Sequence, residues 1–143
     1  MLAAAERQVA KGGWQNVELR QGDAAHLELG HESLDGALCT FGLGAIPDHG
    51  PAIANVAAAL RPGGRFVVLD GKPFDGLGRP LNPIMKPAFR YVSNWHDRDL
   101  PADLRLAFAD VAVRQFNGGS LLLAAAAKDA APATRPSQST TKA

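Results

Sequence analysis

The sequence has a single cysteine, Cys39, so it can form no internal disulfide, and such sparing use of thiols fits a reducing compartment. No apolar run approaches the roughly 18 residues that a membrane span needs, so stable membrane insertion is not expected. The opening residues, Met1-Leu2-Ala3-Ala4-Ala5-Glu6, lack the basic-then-apolar form of a signal peptide. A cytoplasmic location is the resulting expectation. An excess of one charge sign is missing too: the net charge is +1 with Lys and Arg spread along the chain, which argues against nucleic acid as the main partner. The histidines and Cys39 show no metal-ligand cadence, so no metal ligand is assigned. No serine-centred nucleophile elbow occurs either. What the chain does have is 143 residues with 46% hydrophobic and 20% charged, enough for one packed domain.

Periodicity lays out the elements. Met1 to Lys11 is Ala-rich with Glu6, Arg7 and Lys11 on a polar side, and reads as a helix stopped by Gly12-Gly13. Val17 to Gln21 alternates apolar and polar residues and predicts a short strand ended by Gly22. Leu34 to Phe41 is a near-continuous apolar run, the pattern of a strand buried on both faces of a parallel sheet. Pro51 suits the first turn of a helix, and Ile53, Val56, Ala57 and Leu60 mark its buried face. Pro62-Gly63-Gly64 ends that helix, and Phe66 to Leu69 predicts a further strand, completing a parallel crossover unit. Lys72 to Trp95 is broken by prolines yet carries Phe74, Ile84, Met85, Phe89, Tyr91 and Trp95, as a cover of broken helix would. Leu100 to Leu106 reads as a short helix. Val111–Phe116 and Ser120–Ala126 flank Asn117-Gly118-Gly119, a strong antiparallel hairpin signal. From Asp129 the chain is Ala, Pro, Ser and Thr without aromatics, so residues 129–143 are expected to be a disordered tail.

Candidate functional residues cluster where these strands deliver their carboxyl ends, the edge at which open α/β sheets bind ligands. Asp23 either caps the turn that follows it or offers a carboxylate to a ligand. Phe41 either packs in the core or walls a site beside Gly42 and Gly44, where the backbone can approach closely. Asp70 either orients a small molecule or caps the next loop. His49 (beside Asp48) and His96 (beside Asp97) could each accept a proton near neutral pH, or be ordinary loop histidines. His26 and His31 have no evident carboxylate support. Cys39 lies mid-strand and reads as an inert buried thiol.

Three strings carry a family resemblance: Gln21-Gly22-Asp23-Ala24, Leu34-Asp35-Gly36-Ala37-Leu38-Cys39-Thr40-Phe41-Gly42, and Leu60-Arg61-Pro62-Gly63-Gly64-Arg65-Phe66-Val67-Val68-Leu69-Asp70. In order and spacing they resemble the middle of a class I S-adenosylmethionine-dependent methyltransferase. The branch most resembled contains ubiquinone and menaquinone biosynthesis C-methyltransferases and phospholipid N-methyltransferases. The resemblance implies an α/β fold over residues 1–128: a partial Rossmann-like sheet of parallel strands ending in an antiparallel hairpin. The family's Gly-rich strand-turn-helix, which grips the methionine half of the cofactor, has no counterpart here. Its first two strands are expected to be missing, with Met1 an internal methionine.

The resemblance also implies S-adenosylmethionine as cofactor, with Asp23 accepting from the adenine amine, Ala24 leaving room for the purine, and Phe41 running past the methionyl part. The implied reaction is methyl transfer to a small or lipid-like acceptor, under the cover of Lys72 to Trp95, in a chain weak or inactive alone. The competing expectation is a non-catalytic protein that dimerises, or binds a partner, through an exposed sheet edge. A dehydrogenase fragment is the weakest reading, because the terminal hairpin and Gly22-Asp23-Ala24 do not suit it.

Overall fold

Gly13 adopts φ 64°, the left-handed conformation that closes a helix, and its N–H bonds back to the carbonyl of Ala10. Helix α1 (Leu2–Gly12) therefore stops at the Gly pair, as its sequence implies. The computed structural model describes residues 1–46, 48–90 and 99–130 of the chain. Strand β1 (Leu34–Thr40), helix α2 (Gly50–Ala59) and strand β2 (Leu60–Gly71) follow as the expected crossover unit, with β1 and β2 parallel. Pro51 sits in the first turn of α2. After the Pro-rich segment come helix α3 (Asn82–Arg90), helix α4 (Leu100–Ala107), and strands β3 (Asp110–Phe116) and β4 (Leu121–Ala127). The sheet order is β1-β2-β4-β3, with both later pairings antiparallel, so a hairpin ends a parallel start as expected. That hairpin turns through Asn117, Gly118 and Gly119 at φ 52°, 64° and 82°, a run of positive angles that two glycines and an Asn tolerate.

One face of this sheet forms the core. Phe66 and Val68 of β2 and Leu122, Ala124 and Ala126 of β4 meet Ile53 of α2 and Leu104 and Phe108 at α4, all of them buried. The Phe66 and Phe108 rings lie 6.2 Å apart and tilted by 37°. Alanines on β4 leave room for α4 to sit close. The opposite face is apolar but less covered: register aligns Leu38, Val67, Ala125 and Ala112 in one row, and Thr40, Leu69, Leu123 and Arg114 in the next. Val67, Leu69, Leu123 and Ala125 are half-buried there, and Leu38 is 71% exposed.

Two expectations need correction. Val17 to Gln21 is not a strand: the segment has no regular structure, and Val17 and Leu19 are 41% and 37% exposed. Alternation makes a strand only where a neighbour supplies hydrogen bonds, and no described strand lies beside it. β1 is likewise not buried on both faces: its residues are only half-buried or exposed, and among the described strands β2 is its one neighbour.

A third expectation is corrected at Pro62-Gly63-Gly64: α2 already ends at Ala59. Leu60 is extended and opens β2 instead of marking the helix face, and the Pro-Gly-Gly stretch lies within that strand. Between the Leu34–Leu60 and Gly36–Arg65 pairs the register slips, so Arg61 to Gly64 bulge from the start of β2. The bulge docks on the far end of β4: Gly63 N–H donates to Lys128 O at 3.1 Å, and Lys128 N–H donates to Gly64 O at 2.9 Å. A Cβ on Gly64 would sit 2.8 Å from Arg61 O, which explains the glycine. The expected tail from Asp129 falls, beyond Ala130, outside the described residues.

Candidate functional site

The chain leaves β1 through a strained residue. Phe41 has φ 52° and is 60% exposed, while its N–H donates to Leu69 O at 2.7 Å. A non-glycine residue held there costs about 1–3 kcal/mol and persists only where its surroundings fix it. Those surroundings are visible. The short 3-10 turn Leu43–Ala45 presents Gly44 N–H to Asp70 Oδ2 at 2.7 Å, and Asp70 Oδ1 accepts from Gly71 N–H at 2.8 Å. Asp70 is buried, and a Cβ on Gly44 would stand 3.0 Å from its Oδ1. Of the two expected roles, Asp70 fills the capping one: it fastens the turn after β1 to the end of β2.

Cys39 completes this turn from below. Burial raises its thiol pKa, while the N–H groups of Leu43 and Gly42, aimed at the sulfur, work the other way. A Cβ on Gly42 would lie 2.8 Å from Cys39 Sγ, so the glycine is the space that the sulfur fills. The folded state holds the neutral thiol. Any stability linked to it is intact below the ordinary thiol range and declines as pH rises through the elevated value. Iodoacetamide at pH 8 should therefore alkylate Cys39 at least about tenfold more slowly in the native protein than in urea. Equal rates would contradict its placement.

Asp23 lies on an exposed turn. Its Oδ1 accepts from Ala25 N–H at 3.0 Å, and its Oδ2 lies 3.0 Å from His26 Nδ1. The Ala25 N–H first, and His26 second, hold the carboxyl below its usual range, so it is ionised at neutral pH. The turn-capping reading of Asp23 is realised, and His26 has the carboxylate partner that the sequence did not suggest. Each oxygen keeps lone pairs facing solvent. Asn55, the one polar side chain of α2, fixes this turn: its Nδ2 donates to the carbonyls of Ala24 and Leu27, both at 2.9 Å. Ala24 is exposed beside Asp23, and the loop then runs along α2 until Glu32 N–H bonds to Ala58 O at 3.1 Å. Helix α2 is thus the common support, with the Phe41 turn leading into it and the Asp23 turn held at its middle.

His49 is not the loop histidine that its sequence context suggests. It is 5% exposed, its carbonyl accepts from Ile53 N–H in the first turn of α2, and its Nε2 lies 2.7 Å from Oδ2 of Asp103 on α4. The pair joins α2 to α4. His96 lies outside the described residues. Asn55 and Asp103 were both missed from sequence: the first was legible as a lone polar residue in an apolar helix, the second by no local signal. Among the described residues no group of three His, Cys, Asp or Glu side chains could hold a metal.

Comparison with known proteins places this geometry. Residues 1–102 match the model of the ubiE/COQ5 methyltransferase family. The chain is 33% identical over 70 residues to a demethylmenaquinone methyltransferase of Bacillus velezensis, covering 49% of this chain and 30% of that one. It is 32% identical over 94 residues to a ubiquinone/menaquinone biosynthesis C-methyltransferase of Hahella chejuensis, covering 65% and 35%. It thus spans about a third of the length of these relatives. Among solved structures, a possible histamine N-methyltransferase of Thermotoga maritima aligns with TM-score 0.66 and 21% identity over 87% of this chain and 70% of its own. Phosphoethanolamine N-methyltransferase 2 of Haemonchus contortus aligns with TM-score 0.71 and 16% identity over 90% and 41%. These likenesses establish a Rossmann-like methyltransferase fold, of which the four-stranded mixed sheet is a part. With the family model matched across the Asp23 turn, the Phe41 turn and the whole of β2, the chain belongs to the ubiE/COQ5 methyltransferase family.

Proposed function

We propose that this chain carries the adenine side of an S-adenosylmethionine-dependent methyltransferase acting on a quinone-like acceptor. The observation that carries this reading is the pairing of an ionised, solvent-facing Asp23 with a strained, exposed Phe41, on turns that α2 supports together. The donor set fits the group. A carboxylate with free lone pairs accepts from the adenine amine, Ala24 leaves the purine unobstructed, and Phe41 offers an apolar wall. S-adenosylmethionine supplies a methyl group on a sulfonium, whose transfer needs mainly alignment and exclusion of water. The chain's own residues orient and exclude: Asp70 and Cys39 keep the Phe41 turn in place. His49 is already bonded to Asp103, so His96 is the histidine to test as acceptor of the substrate's proton. The relatives named as demethylmenaquinone and ubiquinone/menaquinone methyltransferases support a quinone-type acceptor.

The methionine side of the site comes, in this reading, from preceding polypeptide that adds strands at the open edge of β1. The open edge, the partly covered apolar face and the unpaired Val17–Gln21 segment all support it. The chain alone then binds S-adenosylhomocysteine more weakly than about 0.1 mM and transfers no methyl group measurably. Calorimetric titration tests this, and micromolar binding by the chain alone would overturn the need for an upstream unit.

The alternative, a non-catalytic protein pairing through β1, rests on the same edge. Leu38 stands on the open face of that edge strand with 71% exposure, and the strand's one charge, Asp35, is engaged by Arg61. The isolated chain should self-associate at high concentration, and Leu38→Lys should return it to monomer in light scattering. Association unaffected by that change would show that β1 is not the pairing surface.

A further inference from the structure

From Gly76 to His96 the sequence has three basic residues (Arg79, Lys86 and Arg90) and no Asp or Glu, in a chain whose net charge is only +1. Within that stretch, the 3-10 segment Gly76–Leu81 and α3 hold out large apolar side chains: Leu77 is 102%, Ile84 74% and Leu81 51% exposed. This exposure is built in. The base of the segment is fixed where Asn82 Oδ1 accepts from Phe74 N–H at 2.8 Å and Asn82 Nδ2 donates to Phe74 O at 2.9 Å. It is tied to the hairpin tip where Asp75 N–H donates to Gly118 O at 3.2 Å, and Lys72 bonds Asp75 beside it. Beyond that base, α3 packs substantially on the 3-10 segment alone among the described elements. Prolines 80, 83 and 87 stiffen the projection.

Exposed apolar side chains, in a stretch whose sequence carries cations and no anions, are complementary to the headgroup region of an anionic membrane. Leu and Ile insert among acyl chains while Lys and Arg meet phosphates. Among the described residues no helix is long and apolar enough to cross a bilayer, so contact would be at the surface. We propose that the Gly76–Arg90 segment docks this protein reversibly on an anionic lipid bilayer. The inference does not depend on the cofactor reading, since it uses none of that site's residues. The open face of the sheet fits less well, because its rows of Leu, Val and Ala carry Arg114 and Arg65 with Asp110 among them.

The test is co-sedimentation of the full chain with vesicles of phosphatidylcholine alone or with about a third phosphatidylglycerol. Binding is expected to the anionic vesicles only, and to fall as salt rises above about 0.1 M. Leu77→Ser with Ile84→Ser should weaken it at least about tenfold. Replacing Arg79, Lys86 and Arg90 by Gln should weaken it roughly fivefold per charge. Each variant should keep the wild-type melting temperature, since the described side chains changed for their apolar contact are exposed. Absence of binding, equal binding to neutral vesicles, or variants that bind like wild type would overturn the proposal. So would vesicle-free self-association abolished by Leu77→Ser with Ile84→Ser, which would assign the patch to a second copy instead.

Discussion

Leu104→Ala should destabilise the protein by about 2–5 kcal/mol, enough to leave much of the chain unfolded near physiological temperature. Leu104 is the one fully buried side chain of α4, at 0% exposure, and it sits among Ile53, Phe66, Phe108 and Ala124. Removing its branched end strips contacts from α2, β2 and β4 together. The alanines opposite, Ala124 and Ala126, are too small to move into the cavity, which places the cost toward the upper part of the range. Urea denaturation followed by Trp fluorescence and circular dichroism gives the number. A loss below about 1 kcal/mol would mean that α4 is not part of the cooperative core. By contrast Leu106→Ala, at a position 88% exposed on the same helix, should change stability by less than about 0.5 kcal/mol.

Asp70→Ala is the second large effect, and it separates stability from conformation. The carboxylate accepts from two backbone N–H groups, but they are unequal: Gly71 is exposed and can turn to water, whereas Gly44 is half-buried. The expected cost is therefore that of one unsatisfied donor, about 1–3 kcal/mol. The conformational consequence reaches further. Freed of its anchor, the Leu43–Ala45 turn no longer holds Phe41 at positive φ, and the strained residue relaxes. Hydrogen exchange at the Gly44 amide should speed up, and the Phe41 amide–Hα coupling should move away from its left-handed value. Asp70→Asn keeps an oxygen acceptor and should retain most of both. If Phe41 stayed at positive φ in Asp70→Ala, the carboxylate would not be what fixes the turn.

These effects also show which parts of the molecule its sequence displays. Pro51 and the Asn117-Gly118-Gly119 turn act through backbone geometry within a few residues, so their positions could be read directly, whereas Pro62-Gly63-Gly64 read as a helix end and is a bulge inside β2. The Phe66, Val68, Ala124 and Ala126 pattern likewise announced buried strands. Val17 to Gln21 misled because alternation records a face for burial, not the presence of a neighbour to bond to. His49 misled for a similar reason: its partner Asp103 is 54 positions away, and nothing near His49 indicates that α4 will cover it. Within the proposed site, Asp23, Ala24 and Phe41 were picked out by the family resemblance. The groups that hold them, Asn55 and the Gly44–Asp70 bond, depend on elements being brought together and were not.

Asp23 carries the clearest pH expectation. Its carboxyl is held below the usual range by the Ala25 N–H and by His26, so its stabilising contacts are complete above that range. They are lost only as pH falls through the depressed value. A ligand that depends on this carboxylate should bind equally well from about pH 5 to pH 8 and weaken sharply in stronger acid.

The most direct test of the adenine-side assignment is amide-resolved NMR of the chain titrated with S-adenosylhomocysteine. Saturable shifts are expected at Asp23 to Ala25 and at Phe41 to Leu43, with an affinity in the millimolar range for this half of the site. Asp23→Ala should abolish them while leaving the spectrum of the β-sheet intact. Shifts confined to other residues, or identical shifts in Asp23→Ala, would contradict the account.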